Sequence, residues 1–165
     1  MKKIRNIRGK DVFIIGGDLS LGKIKDVLID TSTIQIIGYS ITESDLFVGD
    51  RGVFISDIYA VFYDFLIIRG TRSLKDMKLF TKKKASIKQF KKIQKLPVVD
   101  TGDKFIGNLN DLLFNPLDGR IKALILLNNI IIPLRNQKIL IYPTSIQIPS
   151  KIKNKHLRKK SNRYF

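Results

Sequence analysis

Short apolar runs that end at turn residues recur along this chain. Residues 12–15 and 98–99 are rich in β-branched side chains, and they stop at Gly16-Gly17-Asp18 and at Thr101-Gly102-Asp103. β-Branched residues favour strands, and glycine next to aspartate favours a tight turn. The pattern therefore predicts two short strands, each closed by a turn.

Longer apolar stretches follow each of these turns. They cover residues 21–29 and 106–114, contain a glycine near the start, and alternate only in part between apolar and polar positions. Partial alternation suits strands that curve around a small closed core. Turn residues then lead into residues 34–42 and 120–127, which are predicted to return as strands. The second of these turns contains an Asp-Gly pair, which is a strong hairpin signal.

The remainder of the two halves differs. Residues 52–68 predict two further strands with a helical turn near residues 58–63, whereas the second half has a shorter pair of strands at residues 130–132 and 139–142. Short strands spaced by roughly eight to twelve residues are typical of an all-β barrel or sandwich. An alternating α/β fold is not favoured.

The chain also aligns with itself without a gap, at an offset of 85 residues, from residues 10–41 onto residues 95–126. Most aligned positions keep their apolar character. The identical pairs are Lys10/Lys95, Gly17/Gly102, Asp18/Asp103, Gly22/Gly107, Asp26/Asp111, Leu28/Leu113 and Ile36/Ile121. A repeat of this length indicates two structural units. We therefore predict domains at residues 1–81 and 86–150, followed by a tail of residues 151–165.

The pattern within each copy resembles a known domain. In the first copy a strand leads to a turn at Gly17, an apolar residue precedes Gly22, and Asp26 follows four residues later. Residues 102–115 repeat this order. The arrangement is similar to the PRC-barrel domain, and it occurs twice.

The resemblance covers residues 2–68 and 86–148. It implies an all-β fold of two tandem small PRC-type barrels, each a six-stranded binding or assembly module without an active site. The short last strands of the second copy leave open whether its barrel is complete. The family includes the photosynthetic reaction centre H subunit, a ribosome maturation factor that binds a small-subunit ribosomal protein, and small bacterial sporulation proteins. We expect neither a membrane anchor nor a dissimilar N-terminal barrel, so the first two functions are not carried over.

Six positions that recur in the two copies are expected to serve the fold. They are Gly17, Gly22, Asp26, Gly102, Gly107 and Asp111. The two aspartates stand among apolar strand residues, and a local backbone amide or lysine is enough to satisfy each of them. A catalytic carboxylate dyad is the alternative, but the two residues belong to different copies.

Positive charge is concentrated in a few segments. The net charge is +17, from 31 Lys and Arg against 14 Asp and Glu. Residues 1–81 and 96–150 contribute only +2 and +1, whereas residues 82–95 and 151–165 each contain seven Lys or Arg and no acid. An AT-rich genome would raise the number of glutamates as well as lysines, yet 22 lysines stand against one glutamate. The excess therefore favours contact with a polyanion.

Residues 86–95 align with the basic N-terminus and open the second copy. Phe90 and Ile93 are predicted to pack as Ile4 and Ile7 do, with the neighbouring lysines facing water. Solvated lysines on a barrel surface are one interpretation. The other is a discontinuous phosphate-binding surface made of the two basic openings and the tail.

The tail shows no apolar periodicity and is expected to be disordered in isolation. Tyr164 and Phe165 could stack on unpaired bases or enter a membrane interface, and a merely solubilising tail is the alternative. The candidate contacts with a nucleic acid or an anionic surface are Lys82, Lys83, Lys84, Lys88, Lys91, Lys92, Lys151, Lys153, Lys155, Arg158, Lys159, Lys160 and Arg163.

Catalytic and metal chemistry have little support. The chain has no cysteine, and its one histidine, His156, lies in the tail. Nucleophile–histidine pairs and histidine metal sites are therefore not expected in either barrel. Residues 17–23 satisfy most of a phosphate-binding string, but Ile24 stands where Ser or Thr would bind Mg²⁺, and the following residues alternate like a strand. We expect no enzyme activity, cofactor, metal or small-molecule substrate.

The apolar stretches also bear on location. The N-terminal apolar run is too short for a signal peptide. The longest apolar stretch, residues 58–68, spans eleven residues and contains Asp64, whereas a membrane-spanning helix needs about 20 residues. We therefore expect a cytoplasmic protein.

These patterns together predict a non-enzymatic adaptor. Its barrels would bind a protein partner, and its basic segments would add attraction to RNA or a ribonucleoprotein in a ribosome-related setting. The first alternative is a peripheral protein held to anionic membrane surfaces by the same lysines. The second is a sporulation-type PRC-barrel protein of bacteria.

Overall fold

The computed structural model describes residues 1–42, 49–83, 85–134, 139–142 and 144–149, without the side chains of residues 81–83. Strands dominate these residues, which confirms the all-β prediction. In chain order they are β1 (Lys2–Lys3), β2 (Asp11–Ile14), β3 (Ile24–Asp30), β4 (Gln35–Ile41), β5 (Arg51–Phe54), β6 (Ile58–Val61), β7 (Phe65–Ile68), β8 (Lys75–Asp76), β9 (Ile87–Gln89), β10 (Pro97–Asp100), β11 (Phe105–Phe114), β12 (Ile121–Leu126), β13 (Ile131–Pro133), β14 (Leu140–Ile141) and β15 (Ile146–Ile148). The helices are α1 (Met77–Lys83) and α2 (Phe90–Ile93), with 3₁₀ turns at Ile4–Asn6, Ile55–Asp57 and Thr71–Ser73.

The two halves repeat one strand order. In the first, β3, β4 and β5 form an antiparallel series, β6 pairs with β7, and β7 runs parallel to β2. In the second, β11, β12 and β13 form the series, β14 pairs with β15, and β15 runs parallel to β10. Every strand from β2 to β7 thus has a counterpart among the described residues from β10 to β15. The second half is shorter in its last strands but lacks none of them.

One local prediction is wrong. The helical turn expected near residues 58–63 lies earlier, as the 3₁₀ turn Ile55–Asp57, and residues 58–61 form β6. At the start of β6 Ile58 is buried and Tyr59 is exposed, as on a strand that covers a core with one face.

The opening segments of the two halves are exchanged. We call residues 1–8 opening segment 1 and residues 86–93 opening segment 2. β1 of segment 1 pairs with β11 of the second half, and β9 of segment 2 pairs with β3 of the first half. Strand pairing therefore crosses the predicted boundary between residues 81 and 86 in both directions.

The repeat is not free of gaps. Gly9 donates its amide to the Ile24 carbonyl at 2.8 Å, and Lys95 donates to the Leu109 carbonyl at 2.7 Å. Both donors have positive φ, 80° for Gly9 and 71° for Lys95, so they hold the same place in the two copies. Gly9 and Lys95 are 86 residues apart, whereas their acceptors Ile24 and Leu109 are 85 residues apart. The alignment of Lys10 with Lys95 is therefore wrong. The turn after β10 in the second copy is one residue shorter than the turn after β2 in the first.

A single apolar cluster extends through both halves. At their junction the Ile36 amide donates to the Gly119 carbonyl at 2.9 Å, and Gln35 forms a bridge with Arg120. The buried Tyr39 hydroxyl donates to the Pro116 carbonyl at 3.1 Å, and burial raises the pKa of this phenol. The β4 strand and the β11–β12 turn thus join the halves into one core.

The connection between the halves is packed against the first half. Phe80 of α1 is buried, and its ring lies 4.3 Å from that of Phe54, centroid to centroid. Gly52 leaves the room for this ring, because a Cβ there would overlap it. Leu28 and Ile87 complete this smaller cluster. The α1 helix, which the sequence patterns did not predict, therefore fixes the start of opening segment 2.

Candidate functional site

Asp26 anchors opening segment 2 to the first half. Its side chain accepts hydrogen bonds from Arg8 Nε at 3.1 Å and Nη2 at 2.6 Å, and from the Lys91 amide at 2.9 Å. The Val27 amide donates as well, at 2.8 Å. Only 3% of Asp26 is exposed, so these partners stand in for water around the carboxylate.

Asp111 holds opening segment 1 in the same way. It accepts from the Ile4 amide at 2.9 Å, from Arg5 Nε at 2.8 Å and from the Leu112 amide at 2.8 Å. The sequence predicted local partners for both aspartates, and each does use the amide of the next residue. Both charged partners come from opening segment 1: Arg8 lies 18 residues before Asp26, and Arg5 lies 106 residues before Asp111.

Opening segment 2 presents a row of lysines on a fixed base. Ile87, Phe90 and Ile93 are buried, whereas three lysines of this segment and Lys95 just after it are exposed. We call Lys88, Lys91, Lys92 and Lys95 the lysine ridge. Burial of Phe90 and Ile93, like that of Ile4 and Ile7, confirms the predicted packing. The Arg8 guanidinium lies 5.5 Å from the Phe90 ring centroid and adds a cation–π contact to this base.

A polar cleft lies beside opening segment 1. This N-terminal cleft has a volume of about 400 Å³ and is lined by Lys2, Arg8, Lys10, Tyr63 and Asp64, among others. The Lys2 and Lys10 ammonium groups lie 5.8 and 5.3 Å from the Tyr63 ring centroid. Burial lowers the pKa of Lys10, the charge of Lys2 lowers it further, and Asp64 opposes the shift. The cleft therefore brings together two like charges.

A groove beside opening segment 2 has a related composition. It has a volume of about 560 Å³ and is lined by Lys88 and Lys92 of the ridge, Thr31, and Tyr142 after β14. Lys2 and Lys88 hold matching places in the two opening segments, given the offset of 86 residues. Each exchanged segment thus faces a tyrosine that follows the next-to-last strand of one half.

The structure describes only part of the predicted contact set. Lys88, Lys91 and Lys92 lie together on the ridge. The side chains of Lys82 and Lys83 and all of Lys84 lie outside the described part, as do the predicted tail contacts Lys151, Lys153, Lys155, Arg158, Lys159, Lys160 and Arg163. The predicted contact residues do not include Lys2, Lys10 or Tyr63, although the phosphate-binding interpretation includes the basic N-terminal opening. The basic N-terminus was a signal for the two lysines, but residue 63 was assigned to a helical turn.

Two of the four predicted structural glycines lie at close approaches. Gly22 has a φ of +129°, and a Cβ there would meet the Thr42 carbonyl oxygen at 2.8 Å. A Cβ on Gly107 would meet Leu126 Cδ1, also at 2.8 Å. Gly17 lies in the turn after β2 and Gly102 in the turn after β10, and a Cβ at either position would make only ordinary van der Waals contacts.

The apparent phosphate-binding string is a turn followed by a strand, as predicted. Lys23 Nζ is 2.9 Å from Asp11 Oδ2, and Ile24 begins β3. This hydrogen bond from Lys23 lowers the pKa of Asp11. Within the described residues, no group of three or more His, Cys, Asp or Glu side chains could hold a metal ion. In the same part of the chain, no helix is long and apolar enough to cross a membrane.

Residues 87–151 match the PRC-barrel domain family. The matched region begins at β9 and extends past β15, so it contains opening segment 2 together with the second six-stranded unit. No curated protein matches the chain.

Proposed function

We propose that this chain is a non-enzymatic cytoplasmic adaptor whose barrels bind a protein partner and whose cationic surface binds RNA within a ribonucleoprotein. The observation that carries the proposal is the lysine ridge. The apolar residues of opening segment 2 are buried, and Asp26 accepts a hydrogen bond from the Lys91 amide. The lysines therefore project from a rigid base. Because the backbone beneath them is already ordered, these lysines lose only side-chain freedom when they meet phosphates.

We also assign the first half to the same family as the second. The support is the shared strand order, the equivalent close approaches at Gly22 and Gly107, and the equivalent anchors Asp26 and Asp111. Two such units in one chain suit an assembly role, because each can present its own surface to a partner.

Exposed apolar side chains support the protein-binding part. Leu19 and Ile15 at the end of the first barrel are 72% and 48% exposed. Leu19 lines a groove of about 610 Å³ together with Leu21 and Leu74. Clustered apolar surface of this kind marks many protein-binding sites.

Replacing three ridge lysines should weaken RNA binding. We expect Lys88→Gln, Lys91→Gln and Lys92→Gln together to lower affinity for structured RNA about tenfold near physiological salt, and to reduce the slope of log affinity against log salt by about two to three. The measurement is a salt titration of binding by the full chain. The control carries Lys78→Gln, Lys104→Gln and Lys122→Gln, which remove the same charge from exposed positions elsewhere.

Anionic vesicles provide the discriminating arm of this experiment. A control triple that weakens binding as much as the ridge triple would show that only net charge matters and would overturn the ridge. Binding to vesicles without binding to RNA would favour the membrane-surface alternative. A full chain that binds neither would remove the electrostatic part of the proposal.

A further inference from the structure

Exposed aromatic rings surround the turn between β6 and β7. Tyr59 is 55% exposed, Phe62 46% and Tyr63 82%. Phe62 stacks on Phe65 with ring centroids 4.6 Å apart, and Phe65 meets Phe13 edge-on at 5.7 Å. The Phe62 amide also donates to the Phe65 carbonyl at 2.9 Å. Phe62 is therefore held in place by its contacts with Phe65, while Tyr63 beside it stays open to solvent.

Two lysines face this aromatic surface without an acidic partner. Among the described residues, neither Lys2 nor Lys10 forms an ion pair within 4.0 Å, although Asp64 lies in the same cleft. Lys10 is only 8% exposed, so little water screens its charge. Both ammonium groups lie within 6 Å of the Tyr63 ring centroid, yet most of the Tyr63 surface remains open.

We infer that the N-terminal cleft binds single-stranded RNA, with an unpaired base stacked on Tyr63 and the adjacent phosphates held by Lys2 and Lys10. Basic grooves edged by aromatic rings bind single strands in this way, because every base offers a face to stack and every nucleotide carries a phosphate. In a duplex the bases are already stacked on one another, so Tyr63 has no partner there. The inference rests on the proposed RNA binding and names the form of RNA that this cleft takes.

The geometry favours RNA over a lipid surface. Tyr63 lines a cleft whose other residues include Lys2, Lys10 and the acidic Asp64. A carboxylate in the cleft repels a plane of anionic headgroups, whereas a flexible single strand can place its phosphates beside the lysines alone.

Truncation of Tyr63 should separate single-stranded from duplex binding. We expect Tyr63→Ala in the full chain to lower affinity for a short unstructured RNA about tenfold, because stacking on one ring is lost. Affinity for an RNA duplex should be unchanged, and Tyr63→Phe should keep the single-strand affinity. Fluorescence anisotropy with labelled oligonucleotides measures both. Tyr63 is largely exposed, so thermal unfolding should not change.

Two further variants complete the test. Phe105→Ala removes a ring that is 58% exposed on β11 and should leave RNA affinity unchanged. Lys2→Gln should lower the salt slope by about one, whereas Tyr63→Ala should not change it. If single-strand affinity is unchanged in Tyr63→Ala, the inference that the cleft binds single-stranded RNA is overturned and the adaptor proposal still stands. Failure of the unaltered chain to bind any RNA removes both the cleft and the RNA-binding part of the adaptor proposal. Loss of vesicle binding alone in Tyr63→Ala would assign the cleft to lipid.

Discussion

Asp26→Ala is expected to lower the free energy of unfolding by about 3 kcal/mol. The substitution leaves the Arg8 guanidinium and the Lys91 amide without the carboxylate that both now bond. Removing one partner of a buried ion pair destabilises a protein because the remaining charge stays desolvated. Urea denaturation of the full chain measures the change, and hydrogen exchange of the Lys91 amide should rise because opening segment 2 loses its anchor.

Asp18→Ala is the matched control. It removes the same charge from an exposed turn that belongs to the same copy. We expect its effect to stay within about 0.5 kcal/mol, as for most surface substitutions. If Asp26→Ala unfolded at the same urea concentration as Asp18→Ala, the anchoring role of Asp26 would be refuted.

The strands were predictable from the sequence because their signals are local. Alternation, β-branched runs and glycine turns act within a few residues, and they located β2 to β4 and β10 to β12 with small errors at the ends. The burial of Phe90 and Ile93 followed from the repeat for the same reason. Local pattern indicates which face of a segment is apolar.

The exchange of the opening segments was not predictable in this way. Both segments are short, basic and apolar at similar spacing, so each suits β3 as well as β11. The choice depends on contacts such as Asp111 with Arg5, which join residues 106 positions apart. No local pattern encodes a partner at that distance.

Two misses in the candidate site have particular causes. The alignment chose identity between Lys10 and Lys95, although Lys95 occupies the positive-φ place that glycine fills in the first copy. Lysine rarely adopts that conformation, so its type gave no indication of the slip. Tyr63 was missed because only its contacts with Lys2 and Lys10 suggest a role for it, and those lysines come from the other end of the first half.

The junction between the halves should be sensitive to a single methyl group. A Cβ on Gly119 would overlap the Ile36 carbonyl oxygen, beside the hydrogen bond that the Ile36 amide donates to Gly119. We expect Gly119→Ala to lower the free energy of unfolding by about 3 kcal/mol, since the β11–β12 turn must move away from β4. Chemical denaturation followed by circular dichroism measures this loss.

Gly16→Ala separates the two causes of that loss. Gly16 and Gly119 share a φ of +72°, so alanine meets the same backbone strain at both positions. Nothing lies within 4 Å of a Cβ at Gly16, and strain alone should cost about 1 kcal/mol there. The excess at Gly119 therefore measures how tightly the two halves meet. Equal losses for the two variants would mean that the junction yields freely and that the shared core does not depend on this approach.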